Sequence, residues 1–350
     1  MSRQKITSID VALAAGVSQS AVSRTFTPGA SVAQETRERV QEAAHRLGYR
    51  PNAIARSLIT RRSHMIGMAV SYLNNHFYPE LVQGISAFCQ QRGYHVLLFT
   101  VGEGDAANRQ LQRALDYQID GLILASVSLS SEIAERCHNA GIPVVMVNRL
   151  SDAPTASKVT GANELGGRTI AHFLAKADHK RIAYLAGLDE TSTNRDRESG
   201  FMTGLRECNR ELHARANGQY DADKAAWAAI ELMQMAEPPD GIFCANDHMA
   251  IAAMDALRSQ LDVRIPDDVS IIGFDDVGPA RWPTYSITSF SQPVDAMITA
   301  SSTTIFDAIE AAVDGRPYAP SSTELPGELI VRSSARAPSG ATETWSIPND

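Results

Sequence analysis

Two groups of residues in this sequence have types and spacings that could do chemistry. The first lies near the start of the chain and comprises Thr7, Ser18, Ser23, Arg24 and Tyr49. Hydroxyls, a phenol and a guanidinium bond phosphate oxygens, so this group reads as a contact to a polyanion. The second group sits at the ends of short apolar runs. Asn74, Phe77, Tyr78, Ser126, Asn148 and Arg149 come first, then Asn194, Arg195, Asn246, Asp247, Asp275 and Gln292. Amides, a few charges and aromatic rings form a hydrogen-bonding set with stacking platforms, suited to a sugar, a sugar acid or a nucleobase.

Neither group is a reaction centre. The sequence has no GxxxxGKS or GxxxxGKT phosphate loop, no GxGxxG after its first apolar run, no GxSxG elbow and no HExxH pair. Gly102-Glu103-Gly104 is too short for a dinucleotide fingerprint, and the nine histidines are scattered. Cys89, Cys137, Cys208 and Cys244 lie far apart in apolar surroundings, which reads as reduced core thiols. We expect no enzyme activity, no cofactor and no metal. No apolar run reaches the roughly 18–20 residues of a membrane span, and no secretory leader is apparent, so the expected location is cytoplasmic.

The elements that must position these groups follow from charge and periodicity. The chain has 350 residues and a net charge of −8, but residues 1–62 hold ten Lys and Arg against four Asp and Glu. A small basic module on a large acidic body is the layout of a DNA reader with a regulatory body. In the module, Val11, Ala12, Ala15 and Val17 line one face of a short helix, Gly16 marks a turn, and Ser18 is placed to cap a second helix carrying Val22 and Phe26. Ala12, Gly16 and Val22 have the spacing of a helix-turn-helix. A third helix carries Val40, Ala43, Ala44 and Leu47 inward, with Arg37, Glu38, Arg39, Glu42 and Arg46 expected outward, and ends at Gly48. Residues 51–58 then form a short segment with Asn52 as cap, too short to be stable alone. Ordered by a partner, it would present Ile54 and Leu58 as wedges for a minor-groove step.

In the body, short β-branched runs alternate with helical patterns, and an Asp-Gly pair precedes an apolar run twice, at Asp120-Gly121 and Asp240-Gly241. The fold class is therefore α/β: an N-terminal all-α helix-turn-helix head and hinge helix, then two doubly wound parallel-sheet lobes. Ligands of such lobes bind at the carboxyl ends of the strands, where the second group lies.

The motifs IDVALAAGVSQSAVSR, TRERVQEAAHRLGYRPNAIARSL, FYPELVQGI, IPVVMVNR, NRDRESGF, FCANDHMAIAAM and VSIIGFDD together resemble the LacI/GalR family of bacterial transcription regulators, over residues 7–333. The resemblance implies a body with the type I periplasmic-binding-protein fold and a homodimer or a dimer of dimers. It implies a double-stranded DNA operator and a small-molecule effector between the lobes. It makes Gln19, Ser20 and Arg24 base readers, with Thr7, Ser18, Ser23 and Tyr49 as phosphate or positioning contacts and Asn52, Ala55 and Leu58 at the minor groove. It singles out Arg195, Asn246 and Asp275 as effector contacts, with Phe77 and Tyr78 stacking and Ser126, Asn148 and Gln292 completing the set. Ala21, Thr27 and Ala33 depart from the family's usual residues, and Ala33 removes the expected cap of the third helix.

The expected organisation is a head over 1–50, a hinge over 51–62 and a body over 63–340. The first lobe spans about 63–161 and 291–320, the second about 162–290 and 321–340, and 341–350 is a tail. The Ser-, Pro- and Thr-rich end shows no heptad, so a dimer is the default. The expected function is a repressor of carbohydrate metabolism genes, bound to a pseudo-palindromic operator and released or modulated by its effector. The alternatives are a binding protein of the periplasmic sugar-receptor type, or an activator or co-repressor-dependent regulator. The basic head argues against the first of these. If Leu58 is a wedge, Leu58→Ala lowers both operator bending and specific affinity in a gel-mobility bending assay; unchanged bending would remove that role.

Overall fold

A computed structural model describes residues 6–27, 29–50, 62–102, 105–126 and 131–347. Asn52, Ile54, Ala55 and Leu58 lie outside the described residues. The chain divides into two compact units, Met1–Ser63 and His64–Asp350.

In the first unit, α1 (Ser8–Ala15) begins with a reciprocal cap. The Thr7 amide donates to the Asp10 carboxylate at 2.8 Å, and the Asp10 amide donates back to the Thr7 hydroxyl at 3.4 Å. These bonds hold the Asp10 carboxyl below the usual carboxylate range. Gly16 ends the helix at φ 63°, a left-handed conformation that glycine adopts without a Cβ penalty. Ser18 then caps α2 (Gln19–Thr25) by accepting from the Ala21 amide. Val11, Ala12, Ala15 and Val22 pack on Val40, Ala43 and Ala44 of α3 (Gln34–Leu47).

Two of the arginines expected to face outward also bond neighbouring helix ends, Arg39 while exposed and Arg37 while half-buried. Arg39 donates to the Ala15 and Gly16 carbonyls at 2.7 and 3.0 Å, and Arg37 donates to the Thr25 and Ala30 carbonyls at 3.1 and 3.3 Å. Both satisfy orphan carbonyls at and beyond helix ends, where a cation is also favoured by the helix dipole.

The second unit opens with β1 (Met65–Val70), α4 (Phe77–Gln91), β2 (His95–Thr100), α5 (Asp105–Leu115), β3 (Gly121–Ala125), α6 (Ser131–Asn139), β4 (Val144–Val147) and β5 (Ser157–Gly161). The chain continues through α7 (Asn163–Lys176), β6 (Ile182–Ala186), α8 (Ser192–Glu207), β7 (Ala214–Asn217), α9 (Ala222–Met233), β8 (Gly241–Cys244), α10 (Asp247–Leu261), β9 (Ser270–Asp275) and β10 (Thr288–Ser291). It ends with α11 (Val294–Val313), β11 (Ser322–Leu325), β12 (Leu329–Ile330) and β13 (Thr344–Trp345).

Two sheets result, ordered β11-β5-β4-β3-β1-β2 and β13-β12-β10-β9-β8-β6-β7. The first is parallel throughout. The second is parallel except that β12 and β13 add antiparallel at one edge. The expected partition shifts at the C-terminal end. Residues 322–325, assigned to the second lobe, form β11 and extend the first sheet beside β5. Residues 344–345, assigned to a tail, form the edge strand β13. Both segments are short, and pairing along an existing strand makes them strands. The chain therefore crosses between lobes three times, after β5, after β10 and after β11. Of the cysteines, Cys89, Cys137 and Cys244 are buried, while Cys208 at the end of α8 is half-buried.

No helix among the described residues is long and apolar enough to cross a membrane. α3 starts at Ala33 with no side-chain hydrogen bond to its first turn. Ala33→Ser supplies one, and is expected to stabilise the head by about 1 kcal/mol in denaturant unfolding followed by circular dichroism. No gain would mean that the helix start is already satisfied by other groups.

Candidate functional site

The outer face of α2 is built by exclusion. Val22 and Thr25 are buried against the head core, which turns Gln19, Ser20, Ser23 and Arg24 to solvent. Ser18 Oγ lies 2.9 Å from Ser20 Oγ, Gln19 Nε2 donates to Ser8 Oγ at 3.0 Å, and Arg24 Nε donates to the Ser20 carbonyl at 3.4 Å. These are exposed bonds within the head that a nucleic acid can replace. Tyr49 is half-buried with its ring 5.9 Å from Phe26, and Thr7 spends its hydroxyl on the α1 cap.

In the second unit a narrow cleft lies at the carboxyl ends of both sheets. Tyr72, Asn75, Tyr78, Ser126, Asn148 and Arg149 line it from the first lobe, and Thr193, Arg197, Tyr220, Asn246 and Asp275 from the second. Five of these eleven, Tyr72, Ser126, Asn148, Tyr220 and Asp275, have positive φ. Such conformations cost about 1–3 kcal/mol each and concentrate where structure serves a site. Here they turn strand ends so that side chains face the cleft.

The centre of the cleft is an ion pair. Arg197 Nη2 donates to Asp275 Oδ1 at 3.0 Å, Nε donates to Asn163 Oδ1 at 2.8 Å, and Nη1 donates to the Ala245 carbonyl. Its guanidinium stacks 3.7 Å from the Phe274 ring centroid. Burial pushes the Asp275 carboxyl up, and Arg197 pulls it back. Gln292 lies behind the lining and bridges the lobes. Its Nε2 donates to Asp275 Oδ1 at 2.7 Å and to Asn148 Oδ1 at 3.3 Å, while Asn148 Nδ2 donates to the Tyr78 hydroxyl at 3.0 Å. Asn246 lines the cleft and also caps α10 through the Met249 amide at 3.0 Å. Asp247 lies beneath, accepting from the Ser289 hydroxyl at 2.8 Å and the Val277 amide at 2.9 Å. Burial, and then the neighbouring Asp275, push its carboxyl well above the usual range.

Several expected contacts move. Arg195 points to solvent and donates to the Glu190 carbonyl at 2.8 Å, so it is not a cleft residue; Arg197, two residues on, is. The helical period explains the shift: Thr193, Arg197 and Phe201 recur every four residues on the buried face of α8, and Arg195 falls on the opposite one. That period was legible in the sequence. Phe77 is core, packed edge-on against Tyr78 at 5.2 Å, and only Tyr78 reaches the cleft. Asn74 is exposed while Asn75 lines the cleft. Asn194 is buried, but its Oδ1 accepts from Tyr184 and from the Gly187 amide. Tyr72, Thr193 and Tyr220 were missed because they stand in loops or on a helix start, off the last residue of a strand.

The chain is similar to known proteins along most of its length. Residues 8–52 match the family model of bacterial regulatory proteins, lacI family, and residues 171–335 match that of the periplasmic binding protein-like domain. A protein of Vibrio vulnificus (strain CMCP6), described as HTH-type transcriptional repressor PurR, is 33% identical over 288 residues, covering 81% of this chain and 86% of that one. The protein of the same description from Photobacterium profundum is 28% identical, over 93% of this chain and 98% of its own. Among solved structures, the lac repressor dimer bound to operator and the anti-inducer ONPF superposes with TM-score 0.83 at 26% identity, over 95% of this chain and 100% of that one. The transcriptional regulator CelR–cellobiose complex superposes with TM-score 0.70 at 29% identity over the same shares.

Asp247 offers a test of the buried charges. Its folded pKa lies above the unfolded value near 3.8. The stability this contributes is present in full below 3.8 and is lost as pH rises through the raised folded value. Asp247→Asn keeps an acceptor for the Val277 amide and a donor toward Ser289. In urea unfolding from about pH 5 to pH 8, the balance is expected to move toward the variant by up to about 1.4 kcal/mol per pH unit. A constant difference would mean that Asp247 titrates normally.

Proposed function

Because this chain belongs to the lacI family of bacterial regulatory proteins, and is a DNA-binding transcriptional repressor with an effector-binding region, we propose that it represses genes of carbohydrate metabolism. It binds a pseudo-palindromic operator as a homodimer and is released or modulated by a sugar or sugar-acid effector in the inter-lobe cleft. The observation that carries this reading is the cleft itself, where polar side chains from two parallel sheets converge around Arg197 and Asp275. In the head, the second helix turns Gln19, Ser20 and Arg24 outward. The CelR complex with cellobiose supports the choice of a sugar-like ligand, and the operator-bound lac repressor supports the dimer.

In this reading Arg24 takes a guanine edge, Gln19 an adenine, and Ser20 is permissive. Thr7, Ser18, Ser23 and Tyr49 hold phosphates. Asn52, Ala55 and Leu58 act at the minor groove. Tyr78, Ser126, Asn148, Arg197, Asn246, Asp275 and Gln292 hold or organise the effector. Gln292 stands on one crossover and bonds a residue of each lobe, so a ligand that alters the Asn148–Asp275 separation alters that crossover too. The coupling to DNA is a differential affinity of about 1–3 kcal/mol, and it is reciprocal.

Selection of duplexes from a random pool by the full-length chain is expected to return a dyad with a pyrimidine–purine step at its centre. Arg24→Ala should relax one symmetric pair of positions at about 1–3 kcal/mol per contact. A selection without a dyad, or a variant equally weakened on all DNA, would refute the reading.

A further inference from the structure

The cleft holds two arginines in unlike situations. Arg197 is fully engaged by Asn163, Ala245 and Asp275. Arg149, on the opposite lobe, is only 8% exposed. Its Nε closes no hydrogen bond, and no carboxylate among the described residues forms an ion pair with it. Its one marked contact is the face of Tyr72, whose centroid lies 5.5 Å from the guanidinium carbon. A cation over a ring recovers only part of what a buried charge loses on leaving water. The carboxylates nearby do not supply the rest. Asp275 is already shared by Arg197 and Gln292, and Asp247 lies beneath it with its neutral form favoured. Among the described residues Arg149 therefore meets no counter-charge. Ser126 Oγ lines the same cleft, is 1% exposed and lies beside the Tyr78 hydroxyl.

Resting on the reading of the cleft as the effector site, we propose that the effector carries an anionic group, a carboxylate or a phosphate. Arg149 receives it, with the Ser126 hydroxyl beside it as a further donor. A guanidinium fork matches either group bidentately, and a point cation does not. Tyr72, Tyr78 and Tyr220 supply aromatic surface for a ring. Arg149 and Arg197 divide the work: Arg197 with Asp275 organises the second lobe, and Arg149 holds the charge in the first.

The test uses the full-length chain in thermal-shift and calorimetric titrations at matched ionic strength. The probes are glucose, gluconate, glucuronate, glucose 6-phosphate, malonate and inorganic phosphate. At least one anion is expected to bind, to weaken about tenfold or more in Arg149→Gln, and to recover in part in Arg149→Lys. A carboxylate-only or phosphate-only response identifies the group. A second measurement needs no ligand: Arg149→Met removes an unpaired buried charge, so its ligand-free melting temperature should equal or exceed that of the wild type. A fall would reveal a structural partner for Arg149 and overturn the proposal, as would a panel with no Arg149-dependent anion. Tyr220→Ala separates the two readings. A neutral sugar whose binding survives Arg149→Gln but is lost in Tyr220→Ala overturns the anion and leaves the cleft standing. Binding that survives both variants removes the ligand from the cleft altogether.

Discussion

The arrangement of the second unit depends on one buried ion pair, Arg197 with Asp275. A guanidinium out of water must have every donor satisfied, or the cost runs to several kcal/mol. Here the donors go to three different places: Asn163 at the first crossover, the Ala245 carbonyl after β8, and Asp275 at the end of β9. The pair is weak evidence for stability, since apolar residues of the same volume often do as well. What it supplies is position. It ties α8, two strand ends and a crossover to one planar group, with the Phe274 ring as its floor.

Backbone packing puts Arg197 there. A Cβ on Gly167 would come within 2.1 Å of the Arg197 carbonyl, and one on Gly200 within 1.9 Å of the Glu164 carbonyl, so α7 and α8 touch main chain to main chain. That close approach sets the depth of Arg197 to within the tolerance of a hydrogen bond. From Asp275 the constraint passes to Gln292, and from Gln292 to Asn148 and Tyr78 on the other lobe. A repressor needs two states that a small ligand can bias, and a bonded chain across a cleft is an element whose two arrangements differ in contacts. Arg149 stands apart from this chain, which leaves its charge free to meet the effector.

The head follows another logic. Among its described residues it has seven small or β-branched core residues, and polar groups do much of the fixing: the Thr7–Asp10 cap, the Ser18 cap, and Arg37 and Arg39 on the carbonyls at helix ends. The two arginines show what a pattern alone leaves out. A charged residue flanking an apolar stripe looks solvent-facing, yet its long stem reaches a neighbouring helix end whose carbonyls lack partners. β11 and β13 failed for a related reason. Neither segment has the alternation of a strand, and each becomes one only because an open sheet edge offers its hydrogen bonds.

Local chemistry was readable wherever it acts within a few residues. The cap at Ser18, the turn at Gly16, the two families of parallel strands and the polar residues at their ends follow from spacing and side-chain type, whereas the cap at Thr7 reads in the sequence as a phosphate contact. Arg197 was within reach by the same means, since the four-residue period that buries Thr193 and Phe201 also turns Arg197 inward and Arg195 out. Only the tertiary structure decided which of those polar residues meet. Asn148, Asp275 and Gln292 are brought together by crossovers between lobes, and among the described residues Asp275 pairs with Arg197 and no carboxylate pairs with Arg149. Helical period and capping are short-range, so the residues themselves determine them. Pairing across a cleft depends on where distant strands end, and no local pattern records that distance.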